Sequence, residues 1–165
     1  MTNTNNLRFP TRVDLPEGTR SQLVDRTNVV LGTLIDMNFQ VKQAHWNIKG
    51  PQFFARHELF DKLADRLRAW TDDVAERAAT LGGYAGGTVR LSAETSVLDE
   101  YDLKAVDGRQ HIAALIERYG RVTSLLRESV EASQTLEDPV TEDLFTEVLR
   151  GTELDLWFLE SHMNT

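Results

Sequence analysis

Four side chains that can bind a metal ion stand in two pairs on one predicted helix. His57 and Asp61 are four residues apart, and so are Asp72 and Glu76. Side chains at that spacing lie on one face of an α-helix, so each pair can converge on one ion. Imidazole and carboxylate ligands suit Fe(II), Mn(II) or Zn(II), and several carboxylates also suit Fe(III). The chain has no cysteine, which excludes thiolate ligands and cysteine nucleophiles.

The same stripe is also typical of an ordinary solvent-exposed acidic face. At about 100° per residue the four side chains fall nearly opposite the predicted core stripe of their helix, and spacing alone favours the exposed face. Phe54, Ala69 and Ala79 share that face, however, and indicate contact with another surface. A further candidate ligand, His45, ends the preceding helix beside Trp46.

The two pairs are too far apart to bind one ion within a single chain. Asp72 lies 11 residues after Asp61, which is roughly 16 Å of helix rise. A two-fold axis near the middle of the helix would set His57 opposite Glu76 and Asp61 opposite Asp72 in an antiparallel pair. One isologous dimer would then form two identical sites. An intrachain di-iron centre is not expected, because no Glu is followed three residues later by His.

Four long amphipathic segments must position these residues. Apolar side chains recur at three- and four-residue steps and predict helices over residues 19–46, 52–81, 107–133 and 139 to the C-terminus. The connection over residues 82–104 predicts a short helix at 92–100, and its segment 88–91 is the only strand candidate. This connection is long enough to cross the bundle. The pattern predicts an all-α, ferritin-like four-helix bundle with a long crossover connection.

Length, composition and charge bound the class of protein. The 165 residues are 41% hydrophobic and 27% charged, which predicts a single folded domain. We predict a flexible N-terminal tail over residues 1–18 and the bundle domain over 19–165. No apolar run approaches 18 residues, so no membrane contact is expected and a cytoplasmic location is the simplest interpretation. The net charge of −8 is compatible with binding cations.

Several motifs resemble the Dps family, the DNA-protection-during-starvation mini-ferritins. The resemblance spans residues 20–162 and is carried by Lys42-Gln43-Ala44-His45-Trp46-Asn47-Ile48-Lys49-Gly50, His57 with Asp61, Asp72-Asp73-Val74-Ala75-Glu76-Arg77, and Leu81-Gly82-Gly83. It implies a homo-oligomer, a hollow dodecamer with ferroxidase centres of two iron ions each at its two-fold interfaces. The family's ligands map onto His45, His57 and Asp61 of one subunit and onto Asp72 and Glu76 of its partner.

The resemblance also implies a chemistry. Hydrogen peroxide, in preference to dioxygen, oxidises pairs of Fe(II) ions, and Fe(III) mineral is stored in the cavity, which protects the cell and its DNA. Zn(II) and Mn(II) are alternative occupants of the centre. Trp46 is then an electron donor near the site, with interface packing as the alternative. Asp143 is placed in a three-fold pore through which iron enters, although an acid near a helix start also favours the helix dipole.

The rival function is a DNA-binding protein that compacts the nucleoid. Members of the family that bind DNA usually use a lysine-rich tail, whereas residues 1–20 contain three Arg, two acids and no Lys. Twelve chains of charge −8 would carry a formal −96 and repel a polyanion. We therefore expect DNA binding to be weak or absent, and leave association with the nucleoid open. Two further expectations are an ion pair of Arg77 with an acid such as Glu153 at a subunit contact, and a surface or capping position for His111.

Overall fold

Five helices make up the chain in the computed structural model, which describes residues 6–163. They are α1 (Glu17–Asn47), α2 (Phe53–Thr80), α3 (Val89–Thr95), α4 (Gly108–Thr135) and α5 (Pro139–Glu160). Over this range the only β-pairing is two isolated bridges, Leu7 with Gly83 and Lys49 with Asp107. The all-α prediction is confirmed. The first three long helices begin and end within two residues of their predicted bounds, and α5 begins at the predicted Pro139.

The long helices pack as two hairpins. α1 lies along α2 and α4 lies along α5, while α1 also contacts α4 and α2 contacts α5. Residues 81–107 run from the end of α2 to the start of α4 and carry α3, which packs against α1. This is the predicted ferritin-like bundle with its long crossover connection. Among residues 6–163, none of the helices combines the length and the apolarity that crossing a bilayer requires.

The main core is an apolar layer along the bundle. Phe60, Tyr119 and Phe145 come from three different helices and are all completely buried. Burying a side chain of that size stabilises the fold by roughly 1.5–3 kcal/mol. The predicted core stripe of α2 is buried except at Trp70, which is half-buried and covers Gly151, where a β-carbon would collide with the indole ring.

The crossover helix starts earlier than predicted. α3 begins at Val89 instead of residue 92, because Thr88 caps it: its hydroxyl accepts from the Leu91 amide at 3.4 Å, and its carbonyl accepts from the Ser92 hydroxyl at 2.9 Å. The strand candidate at residues 88–91 is therefore wrong. A β-carbon on Gly32 would collide with Thr95, so the absence of a side chain there allows α3 to lie close against α1.

The N-terminal segment lies across the end of α2. The amides of Arg8 and Phe9 donate to the Gly82 carbonyl at 2.9 and 3.0 Å. Gly82 has φ +85°, and a β-carbon there would lie 2.6 Å from the Phe9 carbonyl oxygen, so this close approach requires glycine. Contact with the bundle thus begins well before the predicted tail boundary at residue 18. The segment covers a small second core, to which it contributes Leu7, Val13 and Leu15.

A buried ion pair joins the end of α2 to the start of α5. The guanidinium of Arg77 lies 2.7 Å from the Asp138 carboxylate, and its Nε donates to the Thr141 hydroxyl at 2.8 Å. The other carboxylate oxygen of Asp138 caps α5 by accepting from the Val140 amide. The prediction that Arg77 pairs with an acid is confirmed, but the acid is Asp138 of the same chain and not Glu153, which pairs with Arg127.

Replacing Asp138 tests the weight of this ion pair. Burial works to raise the pKa of Asp138, but hydrogen bonds from Thr141 and Arg77 outweigh burial and lower the pKa. A lowered carboxyl pKa stabilises the fold above its unfolded-state value, and that stabilisation is lost as the pH falls through the folded-state value. We expect Asp138→Asn to lower the free energy of unfolding by about 3 kcal/mol at neutral pH, because Arg77 loses its buried counter-charge.

Urea unfolding at neutral pH and through the acid range measures both effects. The acid-induced loss of stability should be smaller in Asp138→Asn than in the unsubstituted protein. Asp99→Asn, at an exposed position, is the matched control and should leave both quantities unchanged. Equal unfolding free energies for the Asp138 and Asp99 variants would contradict the assigned role.

Candidate metal centre

Two histidine rings lie stacked where α1 ends and α2 begins. The ring centroids of His45 and His57 are 3.7 Å apart, and their planes differ by 21°. His45 is only 9% exposed and His57 is half-buried. The connection between the two helices turns through left-handed backbone at Gly50 and Gln52, with φ of 96° and 62°. That turn brings the end of α1 beside the start of α2, so two histidines 12 residues apart become neighbours.

Each ring is held by the backbone of the other residue. His45 Nδ1 lies 2.9 Å from the His57 carbonyl oxygen, and His57 Nδ1 lies 3.0 Å from the His45 carbonyl oxygen. A carbonyl oxygen can only accept a hydrogen bond, so each Nδ1 must be the protonated, donating nitrogen. In the neutral imidazole this leaves the lone pair on Nε2, which is the form that binds a metal ion.

Asp61 lies beside the two rings and is paired with a lysine. One carboxylate oxygen is 3.9 Å from Nε2 of His45 and 2.7 Å from Nζ of Lys42. The hydrogen bond from Lys42 lowers the pKa of Asp61, so this carboxylate is ionised at neutral pH. Lys42 Nζ also lies 5.8 Å from the ring centroid of Trp46, whose indole is 59% exposed. Trp46 therefore lies close to the three donors, and its redox role stays a prediction.

The other two candidate ligands lie farther along α2. Asp72 and Glu76 are both exposed and lie about three and four helical turns beyond Asp61 on the same helix. Within residues 6–163, no three His, Asp or Glu side chains converge on a point that could hold a metal ion. One chain thus presents two partial donor sets, and the histidine rings and Asp61 form the first of them.

Asp143 lies away from the histidine pair. It is exposed on α5 and lines a groove between α2 and α5, together with Asp73, Glu76 and Glu147. Four carboxylates in one groove attract cations by their summed charge. The groove connects one candidate ligand, Glu76, with the residue predicted to lie in the pore, and the pore itself stays a prediction.

His111 has a structural place that the sequence analysis missed. It is 1% exposed, and its Nδ1 shares a hydrogen bond of 2.7 Å with the hydroxyl of Tyr101 in the crossover connection. Burial lowers the pKa of His111. The expected surface or capping position is therefore wrong. The signal was available, since His111 stands four residues before Leu115 of the predicted core stripe.

These features define a ferritin-like protein, and comparison with known proteins agrees. The family model described as a Ferritin-like domain matches residues 25–165. A DNA protection during starvation protein from Agrobacterium fabrum is 40% identical over 153 residues, which cover 93% of this chain and 94% of the relative. A protein of the same name from Mycolicibacterium smegmatis is 32% identical over 145 residues, which cover 88% of this chain and 79% of that one.

Solved structures give the same result. DpsA14 from Streptomyces coelicolor superposes with a TM-score of 0.91 at 34% identity, covering 97% of this chain and 94% of that chain. Dps from Mycobacterium smegmatis superposes with a TM-score of 0.91 at 31% identity, covering 96% and 95%. The chain belongs to the Dps family of ferritin-like proteins. Membership supports, in general terms, a role in iron storage and iron oxidation.

Removing the lysine at the site tests whether Asp61 is a metal ligand. The ammonium group of Lys42 forms an ion pair with the Asp61 carboxylate, which a metal ion would need as a ligand. A partly exposed ion pair of this kind is worth about 1 kcal/mol, so Lys42→Gln should tighten Zn(II) binding by about fivefold. Isothermal titration of the assembled protein with Zn(II) measures the change. Lys62→Gln is the control, because Lys62 is an exposed lysine on α2, the helix that carries Asp61. Equal affinities in both variants would remove Asp61 from the ligand set.

Proposed function

We propose that the protein oxidises Fe(II) at centres shared by two subunits and stores the Fe(III) product as mineral inside a hollow shell of twelve subunits. The observation that carries the proposal is the pair of histidine rings whose Nδ1 atoms are engaged by backbone carbonyls. This leaves the lone pair of each Nε2 available, and Nε2 of His45 lies 3.9 Å from the ionised Asp61. Iron is the substrate here, not a resident cofactor. Asp72 and Glu76 of the partner subunit complete the ligand set.

The separation of the two donor sets along α2 supports a shared centre. A straight helix holds Asp61 and Asp72 roughly 16 Å apart, so the two donor sets of one chain cannot bind the same ion. In an antiparallel pair of α2 helices, each histidine pair faces the two carboxylates of the other subunit. Two-fold symmetry then completes two centres at once. The exposed apolar side chains of Phe54 and Trp46 lie on this surface and favour its burial against a second copy.

Two Fe(II) ions held at one centre can be oxidised together. Each ion gives up one electron, and hydrogen peroxide accepts both as its O–O bond breaks and two protons complete two water molecules. Paired electron delivery avoids the one-electron cleavage that releases hydroxyl radical. The carboxylates favour the Fe(III) product, because anionic oxygen stabilises a hard trivalent cation. Dioxygen is the slower alternative oxidant.

Loss of one histidine should strongly slow the reaction while the subunits stay assembled. We expect His57→Ala to slow peroxide-driven Fe(II) oxidation by at least about tenfold, since it removes a ligand. The measurement loads Fe(II) anaerobically, adds peroxide and follows the absorbance of the ferric product, while size-exclusion chromatography checks the assembly. His162→Ala is the matched control, because Nδ1 of His162 bonds the Phe158 carbonyl at the end of α5, away from the histidine pair. Unchanged oxidation by His57→Ala would defeat the site assignment.

Mixing two inactive variants tests whether the centre is shared. His57→Ala damages one end of α2, and Asp72→Ala damages the other. When the two are co-expressed, a pair of unlike subunits contains one centre with both defects and one centre with none. With random pairing, about a quarter of all centres are intact, so about a quarter of the oxidation rate should return. If the co-assembled shells stay inactive, the ligands do not come from two subunits.

We also propose that the protein protects DNA by removing Fe(II) and peroxide and not by binding the polymer. Several relatives carry DNA protection in their names. Two of the three arginines in residues 6–20 are engaged with the bundle: Arg8 lies 4.4 Å over the Tyr84 ring, and Arg20 donates to the Leu81 carbonyl at 2.9 Å. With a net charge of −8 per chain, the assembled shell would repel phosphate.

A gel-shift titration at several salt concentrations tests this part of the proposal. We expect no complex with duplex DNA at about 150 mM salt and at most a weak one at about 10 mM, where twelve copies of Arg12 act through avidity. The double variant Asp14→Lys/Glu17→Lys adds four positive units per chain and should gain binding, which shows that the assay can detect it. A stable complex of the unsubstituted protein at physiological salt would favour the nucleoid-compacting function.

A further inference from the structure

An oppositely charged pair lies between the two donor sets of α2. The side chains of Asp65 and Arg68 are 66% and 80% exposed. Within the chain they approach to 3.3 Å, an exposed contact at i, i+3 that contributes little to stability. At about 100° per residue they fall on the same helix face as the four candidate ligands, which are His57, Asp61, Asp72 and Glu76.

This charged pair has the same midpoint as the two ligand pairs. An antiparallel pairing that sets His57 opposite Glu76 is centred between residues 66 and 67. The same axis sets Asp65 of one subunit opposite Arg68 of the partner subunit, and the reverse. The ligand spacing does not require this, because a charged pair elsewhere on the helix, or one of like charges, would leave both ligand sets intact. The coincidence is therefore independent of the ligands.

We propose that Asp65 of each subunit forms an ion pair with Arg68 of the partner subunit, and that these two ion pairs set the register of the two-fold interface. The inference rests on the proposed function, because it takes the shared centre as the reason for the antiparallel pairing. The partner is a second copy of this chain. Charge complementarity supports it, since two-fold symmetry forms the contact twice and both contacts join opposite charges.

The apolar surface beside Asp65 and Arg68 also fits a second copy of this chain. Asp65 and Arg68 line a groove of ≈ 600 Å³ between α1, α2 and the crossover connection, with Ile35, Ala69 and Ala75 among its other walls. Ala69 presents only a methyl group next to Arg68, so a second helix can approach closely there. The ligand Asp72 lies in the same groove, which makes this surface continuous with the proposed centre.

Neighbouring registers are disfavoured by the same two charges. If the axis moved to residue 65, each Asp65 would face its own copy. If it moved to residue 68, each Arg68 would face its own copy. Like charges brought together at an interface are strongly unfavourable, so the pair acts against misregistered dimers as well as for the correct one. A correct register is what aligns the histidines with the partner's carboxylates.

Charge reversal of each residue separates contacts between chains from contacts within a chain. Asp65→Arg leaves a chain with two positive side chains, and Arg68→Asp leaves one with two negative side chains. Each variant paired with itself brings like charges together at both contacts, and we expect its two-fold association to weaken about tenfold. Paired with each other, the two variants join opposite charges at both contacts, although each chain still carries like charges internally.

The experiment co-expresses the two variants with different affinity tags. Native mass spectrometry of the purified particles should show unlike pairs in large excess over like pairs, and the Fe(II) oxidation rate should return toward that of the unsubstituted protein. Glu128→Arg is the control, because it makes the same change of charge as Asp65→Arg at an exposed site on α4. Circular dichroism of each single variant checks that the helices are formed.

The outcomes distinguish this inference from the function on which it rests. Single variants that assemble at low salt as well as the Glu128→Arg control, or co-expressed variants that show no preference for unlike pairing, would overturn the register assignment. If that happens while the His57→Ala and Asp72→Ala variants still complement each other, the shared centre stands and only this inference fails. If the variants pair selectively with each other but the protein does not oxidise iron, the register assignment stands and the proposed function is rejected.

Discussion

The reciprocal hydrogen bonds between His45 and His57 are the constraint on which the candidate centre depends. Each ring uses its Nδ1 to bind the other residue's carbonyl, at 2.9 and 3.0 Å. The end of α1 therefore cannot shift against the start of α2 without breaking both bonds. Ile48 directly after the helix is completely buried, and the Lys49 amide donates to the Val106 carbonyl at 3.1 Å. Core packing and the crossover connection thus hold the same corner in place.

The rest of the bundle supplies rigidity to the two ends of α2. This helix runs unbroken for 28 residues, with the histidine end held by α1 and the other end tied to α5 by Arg77. A stiff helix keeps its two donor sets apart, and the proposed centre therefore requires a second subunit. An ion pair of the partly exposed Arg66 with the buried Asp155 adds another tie between α2 and α5 near the middle of the helix. Burial raises the pKa of Asp155, although Arg66 opposes this shift.

Much of the fold was predictable because it depends on local patterns. The three- and four-residue apolar steps located the long helices, and Gly82 marked the end of α2 through a backbone conformation that glycine tolerates best. The pairs His57 with Asp61 and Asp72 with Glu76 were visible as helical spacings. The geometry of the site was less accessible. The carbonyl partners of the histidines, and the pairing of Lys42 with Asp61, depend on how two helices meet.

The wrong predictions share a physical cause, which is the choice among distant partners. Arg77 could pair with any nearby acid, and only the packing of α5 against α2 selects Asp138 over Glu153. His111 could face water or the core, and the position of Tyr101 in the crossover connection decides the matter. The N-terminal segment carries little periodicity, so its contacts with Gly82 could not be read from its own residues.

The ion pair between Arg77 and Asp138 has a mechanical consequence. Arg77 directly follows Glu76, and Asp138 caps the helix that carries Asp143 five residues later. The ion pair therefore joins the end of α2 to the start of α5. It fixes the spacing between Glu76, a proposed iron ligand, and Asp143, a proposed pore residue. Any tilt of the first turn of α5 is therefore transmitted to the end of α2 that carries Glu76, so the position of one candidate residue depends on that of the other.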